Sequence, residues 1–181
     1  IVIDKKVYRG THYSAGELGD LIINNGDLNG VQRAGHLEKR AGWQAVERLG
    51  RDVASQHPES AIAKLAGNNP DKVTAQTVFD AARLHDKYAK SIIEEVSVTL
   101  GTAIANLISL LDPEIVLLTG EIISVSDIFV EPICKQVQKL IPNAPPIRFS
   151  TLGQNAEVLG AIRVALDSIT TSLNVSERPS L

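Results

Sequence analysis

Residues 86–111, DKYAKSIIEEVSVTLGTAIANLISLL, most restrict what this chain can fold into. Ala89, Ile92, Ile93, Val96, Leu100, Ile104, Leu107, Ile108 and Leu111 recur at intervals of three and four, which lines them along one face of a helix. Asp86 caps its start and Asp112-Pro113 ends it, because proline cannot continue the ladder. An apolar stripe of this length must be covered by other elements, so Leu100 or Ile104 is expected in a core. Gly101 costs the helix about 1 kcal/mol against alanine. Its presence predicts that another backbone packs close at that point.

The flanking segments supply the covering elements. IVID and KKVYRG read as two short strands reversing at Asp4-Lys5-Lys6, and Leu21 to Ile23 as a third, closed by the turn cluster Asn24-Asn25-Gly26-Asp27. From His36 or Leu37 a helix carries Leu37, Ala41, Ala45, Val46, Leu49 and Val53 at helical spacing until Pro58 limits it. Ser60 to Ala66 is a short helix, and Thr74 caps another through Leu84. Ile115 to Gly120, IVLLTG, is a continuous apolar run, expected as a central strand buried on both faces. Ser126-Asp127 opens a helix through Ile141, Ile147 to Ser150 is a strand, and Ala156 to Ile169 is the last helix. Asn174 to Leu181 is expected to fray. Strands first, then helices, then strand, helix, strand, helix: this order specifies an α/β fold with a mixed sheet covered by helices.

Bulk properties exclude several classes. The chain has 181 residues, 44% hydrophobic and 22% charged, which is ordinary for one soluble globular domain. A net charge of −3 argues against a grip on a nucleic-acid backbone. With Cys134 as the sole cysteine, neither a disulfide framework nor a cysteine zinc site can form within the chain, which fits a cytoplasmic location. No run of 18 or more consecutive apolar residues is present, so no membrane span is expected. The chain has no methionine and opens inside a strand pattern, as a fragment of a longer protein would.

The turn-rich stretch from Ser14 to Gly42 looks arranged around a ligand. A phosphate loop needs G-x-x-x-x-G-K-[ST] before a helix, and neither the lysine nor the order is present. Asp20 and His36 are types that bind zinc, but a structural site needs about four ligands. Glu17, in a glycine-bounded loop, and Glu38, in the first turn of a helix, can accept hydrogen bonds from paired hydroxyls, as in sugar recognition. The plainer role for Glu38 is stabilisation of the helix dipole, worth about 0.3–1 kcal/mol. Thr119-Gly120-Glu121 follows an apolar strand, where ligands sit in open α/β sheets; a strand-end turn has the same composition. No Ser-His-Asp or Cys-His set stands out, and His12, His57 and His85 read as surface residues.

Several stretches together resemble the carboxy-terminal half of the ROK family, bacterial sugar-responsive repressors and sugar kinases. VIDKKVYRGTHYSAGELGD is similar to the family's strand-turn-strand and A-G-E-[IL]-G-H. GHLEKRAG resembles G-C-L-E-x-x-A-S-G, and ARLHDKYAKSIIEE resembles A-R-x-G-D-x-x-A. LGTAIANLISLLDPEIVLLTGEI resembles L-G-x-x-I-A-N-L-x-x-L-L-N-P-E-x-I-V-L-G-G, and NAEVLGAIRVAL the closing x-A-x-L-G-A-A-x-x-A-L. The match runs from the first residue to about Asp167.

The resemblance implies an actin-like ATPase, ribonuclease-H-like fold in which two lobes close on a sugar. Residues 1–181 would be the carboxy-terminal lobe, without the lobe that carries the catalytic aspartate. It places sugar-binding residues at Glu17, Glu38 and Asp20, and the nucleotide end at Thr119 and Gly120. It also implies a structural zinc held by one histidine and three cysteines, whose positions here are Asp20, Asn29, Val31 and His36. Valine cannot ligate zinc and asparagine is a poor ligand, so the zinc site is expected to be lost and no cofactor is expected in this stretch.

The function implied first is the sugar-sensing and oligomerisation domain of a ROK-type repressor. Its partners would be a small sugar, further copies of itself, and DNA through an amino-terminal winged helix absent from this sequence. The alternative is the carboxy-terminal half of a glucokinase-like sugar kinase using ATP and magnesium. A kinase needs a base, magnesium ligands and phosphate-binding glycines. None of these is assigned within this stretch, so no catalytic residue is expected here.

Overall fold

The computed structural model describes residues 1–23 and 35–176. The chain divides into two compact units, Ile1–Asp112 with Asp127–Ala144, and Pro113–Ser126 with Pro145–Leu181.

The first unit opens with β1 (Val2–Ile3) and β2 (Lys6–Val7), paired antiparallel with Val2 opposite Val7 and Ile3 opposite Lys6. Asp4 and Lys5 both take positive φ, 50° and 63°, the backbone of a two-residue turn whose hand suits strand twist. The expected third strand at Leu21–Ile23 does not form. A 3-10 turn spans Leu18–Asp20, and the Leu21 amide closes it on the Leu18 carbonyl at 3.0 Å. Among the described residues these three have no ladder partner, and the local bond takes the Leu21 amide. The turn cluster from Asn24 to Asp27 lies outside the described residues.

The helix expected from His36 to Pro58 is two helices, α1 (His36–Ala41) and α2 (Trp43–Gln56). Gly42 separates them with extended backbone, φ −72° and ψ 167°, and its amide still bonds the Glu38 carbonyl at 2.7 Å. The two helices keep the apolar register across the break, so Leu37, Ala41, Ala45 and Val46 are all buried. α3 (Ala61–Leu65) starts at Ser60, whose hydroxyl accepts from the Ala63 amide. α4 (Ala75–Arg83) begins with a reciprocal cap between Thr74 and Thr77.

α5 (Lys87–Leu111) is the central element of this unit. One Asp86 oxygen accepts from the amides of Tyr88 and Ala89, and the other accepts from the Ala61 amide at 2.7 Å. A single carboxylate therefore caps α5 and ties it to the start of α3. Ala89, Ile92, Ile93, Val96, Ile104 and Ile108 are buried as the periodicity requires. Leu100 and Leu107 are half-buried and Leu111 is exposed, so the stripe is covered most fully in its middle and first half. α5 is long and apolar enough to cross a membrane, and half of its most apolar window is buried inside the structure. Polar residues interrupt that window, so it contains no uninterrupted apolar run, as the sequence showed.

α6 (Ser126–Leu140) contributes Phe129, Ile133 and Val137, one turn apart and all buried. Phe129 meets Phe79 of α4 and Trp43 of α2, with ring centroids 5.8 and 6.0 Å apart; Trp43 stands edge-on to Phe79 at 5.0 Å. Aromatic edge contacts at these distances add to area burial. Three helices far apart in sequence are joined there.

The second unit contains β3 (Val116–Leu118) and β4 (Ile147–Phe149), paired parallel with Leu117 opposite Arg148. The apolar run at Ile115–Gly120 was expected to be a central strand buried on both faces. Instead Leu117 is 57% exposed, and among the described residues β4 is the one strand paired with β3. A 3-10 segment, Gly120–Val125, leads to α6, and α7 (Ala156–Ser176) runs past the expected stop at Ile169. Residues 174–176 of the expected frayed tail are therefore helical, and residues 177–181 lie outside the described range.

Candidate functional site

Residues 15–20 and the first turn of α1 carry Glu17, Asp20 and Glu38 on two adjoining elements. The Ala15 amide bonds the Arg9 carbonyl at 3.1 Å, and Gly16 takes φ 95°, a conformation that L side chains rarely adopt. The chain then enters the Leu18–Asp20 turn with Glu17 as its leading residue. This turn packs against α1, whose first turn carries Glu38. Glu17, Asp20 and Glu38 are all exposed, so Glu17 and Glu38 can meet a polar ligand from solvent, while Asp20 already accepts one internal hydrogen bond.

Two glycines form the seat of Glu38. Its carboxylate oxygen Oε2 lies 3.6 Å from where a Cβ on Gly19 would stand, and 3.0 Å from where one on Gly35 would stand. Gly35 precedes α1 with φ 61°, and its carbonyl accepts from the Lys39 amide at 2.7 Å. Asp20 reaches across the same place: its Oδ1 accepts from the Gly35 amide at 2.8 Å. The sequence reading noted Gly35 without assigning it a role. Residues before a helix usually take extended backbone, so the positive φ that requires glycine here had no local signal in the sequence.

The implied zinc does not fit these residues. Zinc in a structural site takes four nitrogen or sulfur ligands in a tetrahedron, with carboxylate oxygen a less common partner. Here Asp20 spends Oδ1 on a backbone amide, and His36, partly buried, begins α1. Asn29 and Val31 lie outside the described residues, and valine has no donor atom to offer. Among the described residues no group of three or more His, Cys, Asp or Glu side chains is placed to hold a metal.

Thr119 and Gly120 stand in the other unit, at the carboxyl end of β3. Gly120 takes φ 81° and a Cβ there would meet nothing within 4 Å, so conformation rather than crowding explains this glycine.

Two clusters of charged side chains lie apart from the Glu17–Glu38 segment. Arg83 donates to Asp127 through Nε at 2.8 Å and Nη2 at 3.0 Å, and also to Asp80 at 3.1 Å. The Arg83 hydrogen bonds hold the Asp127 carboxyl below the usual aspartate range, and those from Asp127 and Asp80 push the guanidinium up. The pair borders a groove of about 930 Å³ between the end of α4, α5 and α6, which contains none of the predicted site residues. Of the three histidines read as surface residues, His12 and His85 are exposed. His57 instead stacks on Tyr88 at 4.1 Å, and Tyr88 donates its hydroxyl to Glu59 at 2.9 Å. A backbone hydrogen bond, then that hydroxyl, keeps Glu59 below the usual carboxylate range.

The ROK family profile matches residues 1–168. A glucokinase of Thermotoga maritima is 32% identical over 84% of this chain and 50% of its own length. A glucokinase of Halalkalibacterium halodurans is 29% identical over 88% and 50%. A xylose repressor of Caldicellulosiruptor bescii is 26% identical over 93% and 43%. The chain thus spans about half the length of the curated relatives it matches. Among solved structures, a ROK glucokinase of Streptomyces griseus superposes with a TM-score of 0.79 at 24% identity, covering 91% of this chain and 55% of its own. A ROK hexokinase of Thermus thermophilus superposes at 0.69 with 26% identity, covering 88% and 50%. A profile match over nearly the whole chain and superposition on ROK structures agree with the five sequence stretches: the chain belongs to the ROK family and has the α/β architecture of its actin-like ATPase fold.

Proposed function

We propose that this chain is the carboxy-terminal, sugar-sensing lobe of a ROK-type transcriptional repressor, with Glu17 and Glu38 as its sugar ligands. The observation that carries the reading is the placement of Glu38. Its exposed carboxylate lies over Gly19 and Gly35, where no side chain intervenes, on a helix packed against the turn that Glu17 leads. Carboxylates in this setting accept hydrogen bonds from vicinal hydroxyls and repel phosphate, which favours an unphosphorylated sugar. A sugar closing two lobes on one another shifts a conformational population, and so can alter how paired DNA-reading heads are spaced. Exposed Val158, Ile162 and Ile169 on α7, and Val2 and Val7 on the hairpin, support apolar surface shared with further protein. The site of action on this reading is the cytoplasm.

The second reading is the carboxy-terminal half of an ATP-dependent sugar kinase. The two glucokinases at 32% and 29% identity favour it. Against it stand Asp20 where the kinases' zinc-binding histidine is implied, and Thr119 before Gly120 where paired glycines are implied.

Calorimetry on the complete protein tests both. Neutral hexoses, pentoses and N-acetylated amino sugars are titrated, then repeated with Glu38→Gln and Glu17→Gln. Charge-assisted bonds are worth roughly 1.5–3 kcal/mol each, so each variant should bind at least about tenfold more weakly. A sugar that both variants bind as well as the parent refutes the assignment. Binding of ATP with magnesium, followed by phosphoryl transfer, moves the conclusion to the kinase.

A further inference from the structure

The implied zinc and the residues present disagree, and the geometry shows what stands in the metal's place. We propose that Asp20 is a metal-independent clasp: its carboxylate closes the chain on itself and positions Glu38, rather than binding sugar directly. The inference rests on the sugar reading for its functional consequence, but not for the clasp itself.

The Gly35 amide donates to Asp20 Oδ1 at 2.8 Å, across 15 positions of sequence. Gly35 is buried, and an amide at the start of a helix has no intrahelical acceptor. The Asp20 carboxylate oxygen supplies that acceptor. The bond acts on Glu38 by a short route. Gly35 is the residue from which α1 departs; its carbonyl already holds Lys39, and its bare Cα faces the Glu38 side chain. Fixing the Gly35 amide therefore fixes the first turn of α1 and the carboxylate that turn carries. A metal would tie the same stretch together through several ligands, whereas here one side chain does so from the Leu18–Asp20 turn. The task needs an acceptor oxygen, not a charge or a metal ligand, and this separates the clasp from the other roles Asp20 can be given.

The test compares Asp20→Asn, which keeps an acceptor oxygen, with Asp20→Ala, which removes it. In the complete protein, hydrogen exchange at the Gly35 amide is followed by NMR, and affinity for the sugar found by calorimetry is measured with and without EDTA. The clasp predicts at least about tenfold faster exchange and tenfold weaker sugar binding in Asp20→Ala. Asp20→Asn should stay near the parent in both, and EDTA should change neither. Gly35→Ala gives an independent check: a Cβ would lie 3.0 Å from Glu38 Cβ and Oε2 at a positive φ, so sugar binding should weaken with Asp20 intact. Gly35 exchange unchanged in Asp20→Ala overturns the clasp. So does weak binding by Asp20→Asn with Gly35 still protected, which makes Asp20 a direct ligand. One zinc per chain whose removal by EDTA weakens binding overturns the metal-free role. If no sugar binds, the functional reading fails, and Gly35 exchange alone decides for or against the clasp.

Discussion

Gly101 of α5 lies directly beneath Gln136 of α6: a Cβ at 101 would stand 2.8 Å from Gln136 Cβ and 3.1 Å from the Ile133 carbonyl oxygen. The glycine that weakens α5 as a helix is what lets α6 approach it. Gly101→Ala gains about 1 kcal/mol of helix propensity. It loses about 1–3 kcal/mol by forcing apart a packed backbone and the root of a side chain. Net destabilisation of up to about 2 kcal/mol is expected. Urea unfolding followed by the fluorescence of Trp43, the sole tryptophan, measures it. A midpoint at or above the parent's would show that α6 yields freely.

Ile104 is 5% exposed, whereas Leu100 one turn earlier is half-buried. Ile104→Ala should cost about 2–5 kcal/mol, and Leu100→Ala distinctly less. Equal losses in denaturant titration would mean that Leu100 is covered in solution as fully as Ile104.

Burial pushes the Cys134 thiol up from the ordinary range. Since the thiolate is the reactive form, the native protein should react slowly with disulfide reagents at neutral pH, and quickly in urea. Equal rates in the two conditions would place the thiol in solvent.

Asp127 is held low by Arg83, so the pair's contribution is complete above the ordinary aspartate value of 3.8 and fades as pH falls through the lower folded-state value. Both side chains are substantially exposed, 34% for Arg83 and 53% for Asp127, which limits the contribution to about 1 kcal/mol. Asp127→Asn should therefore lower stability slightly at neutral pH and not at all in strong acid. A loss that persists in acid would point to a role other than the ion pair.

The exposed apolar residues of α7 and of the β1–β2 hairpin predict that the isolated chain self-associates. Light scattering from micromolar to near-millimolar concentration should show mass rising with concentration. A monomer throughout that range would contradict it.

Long-range periodicity and turn chemistry made most of the helices legible. The α5 stripe, the Asp86 and Thr74 caps and the stop at Pro58 all rest on interactions within a few residues, which a sequence displays directly. The failures share a cause. Leu21–Ile23 and Ile115–Gly120 are apolar runs whose state depends on strand partners elsewhere, and composition does not say whether a partner arrives. The break at Gly42 was hidden because α1 and α2 keep one apolar face across it. At the candidate site, Glu17 and Glu38 were singled out by the family resemblance, since residue type alone left Glu38 as readily a helix-dipole group. The bond from Asp20 to Gly35 could not be foreseen, because nothing in the intervening residues signals that the two ends meet.

The discontinuity of the first unit bears on how the protein is made. Phe129, Ile133 and Val137 fill its core, yet they are synthesised after β3, which belongs to the second unit. On the ribosome, the helices up to Asp112 can pack on one another as they emerge, but the face that Phe129, Ile133 and Val137 cover stays open until α6 follows. A nascent product halted near Asp112 would keep that apolar face exposed and would be a natural client for a chaperone.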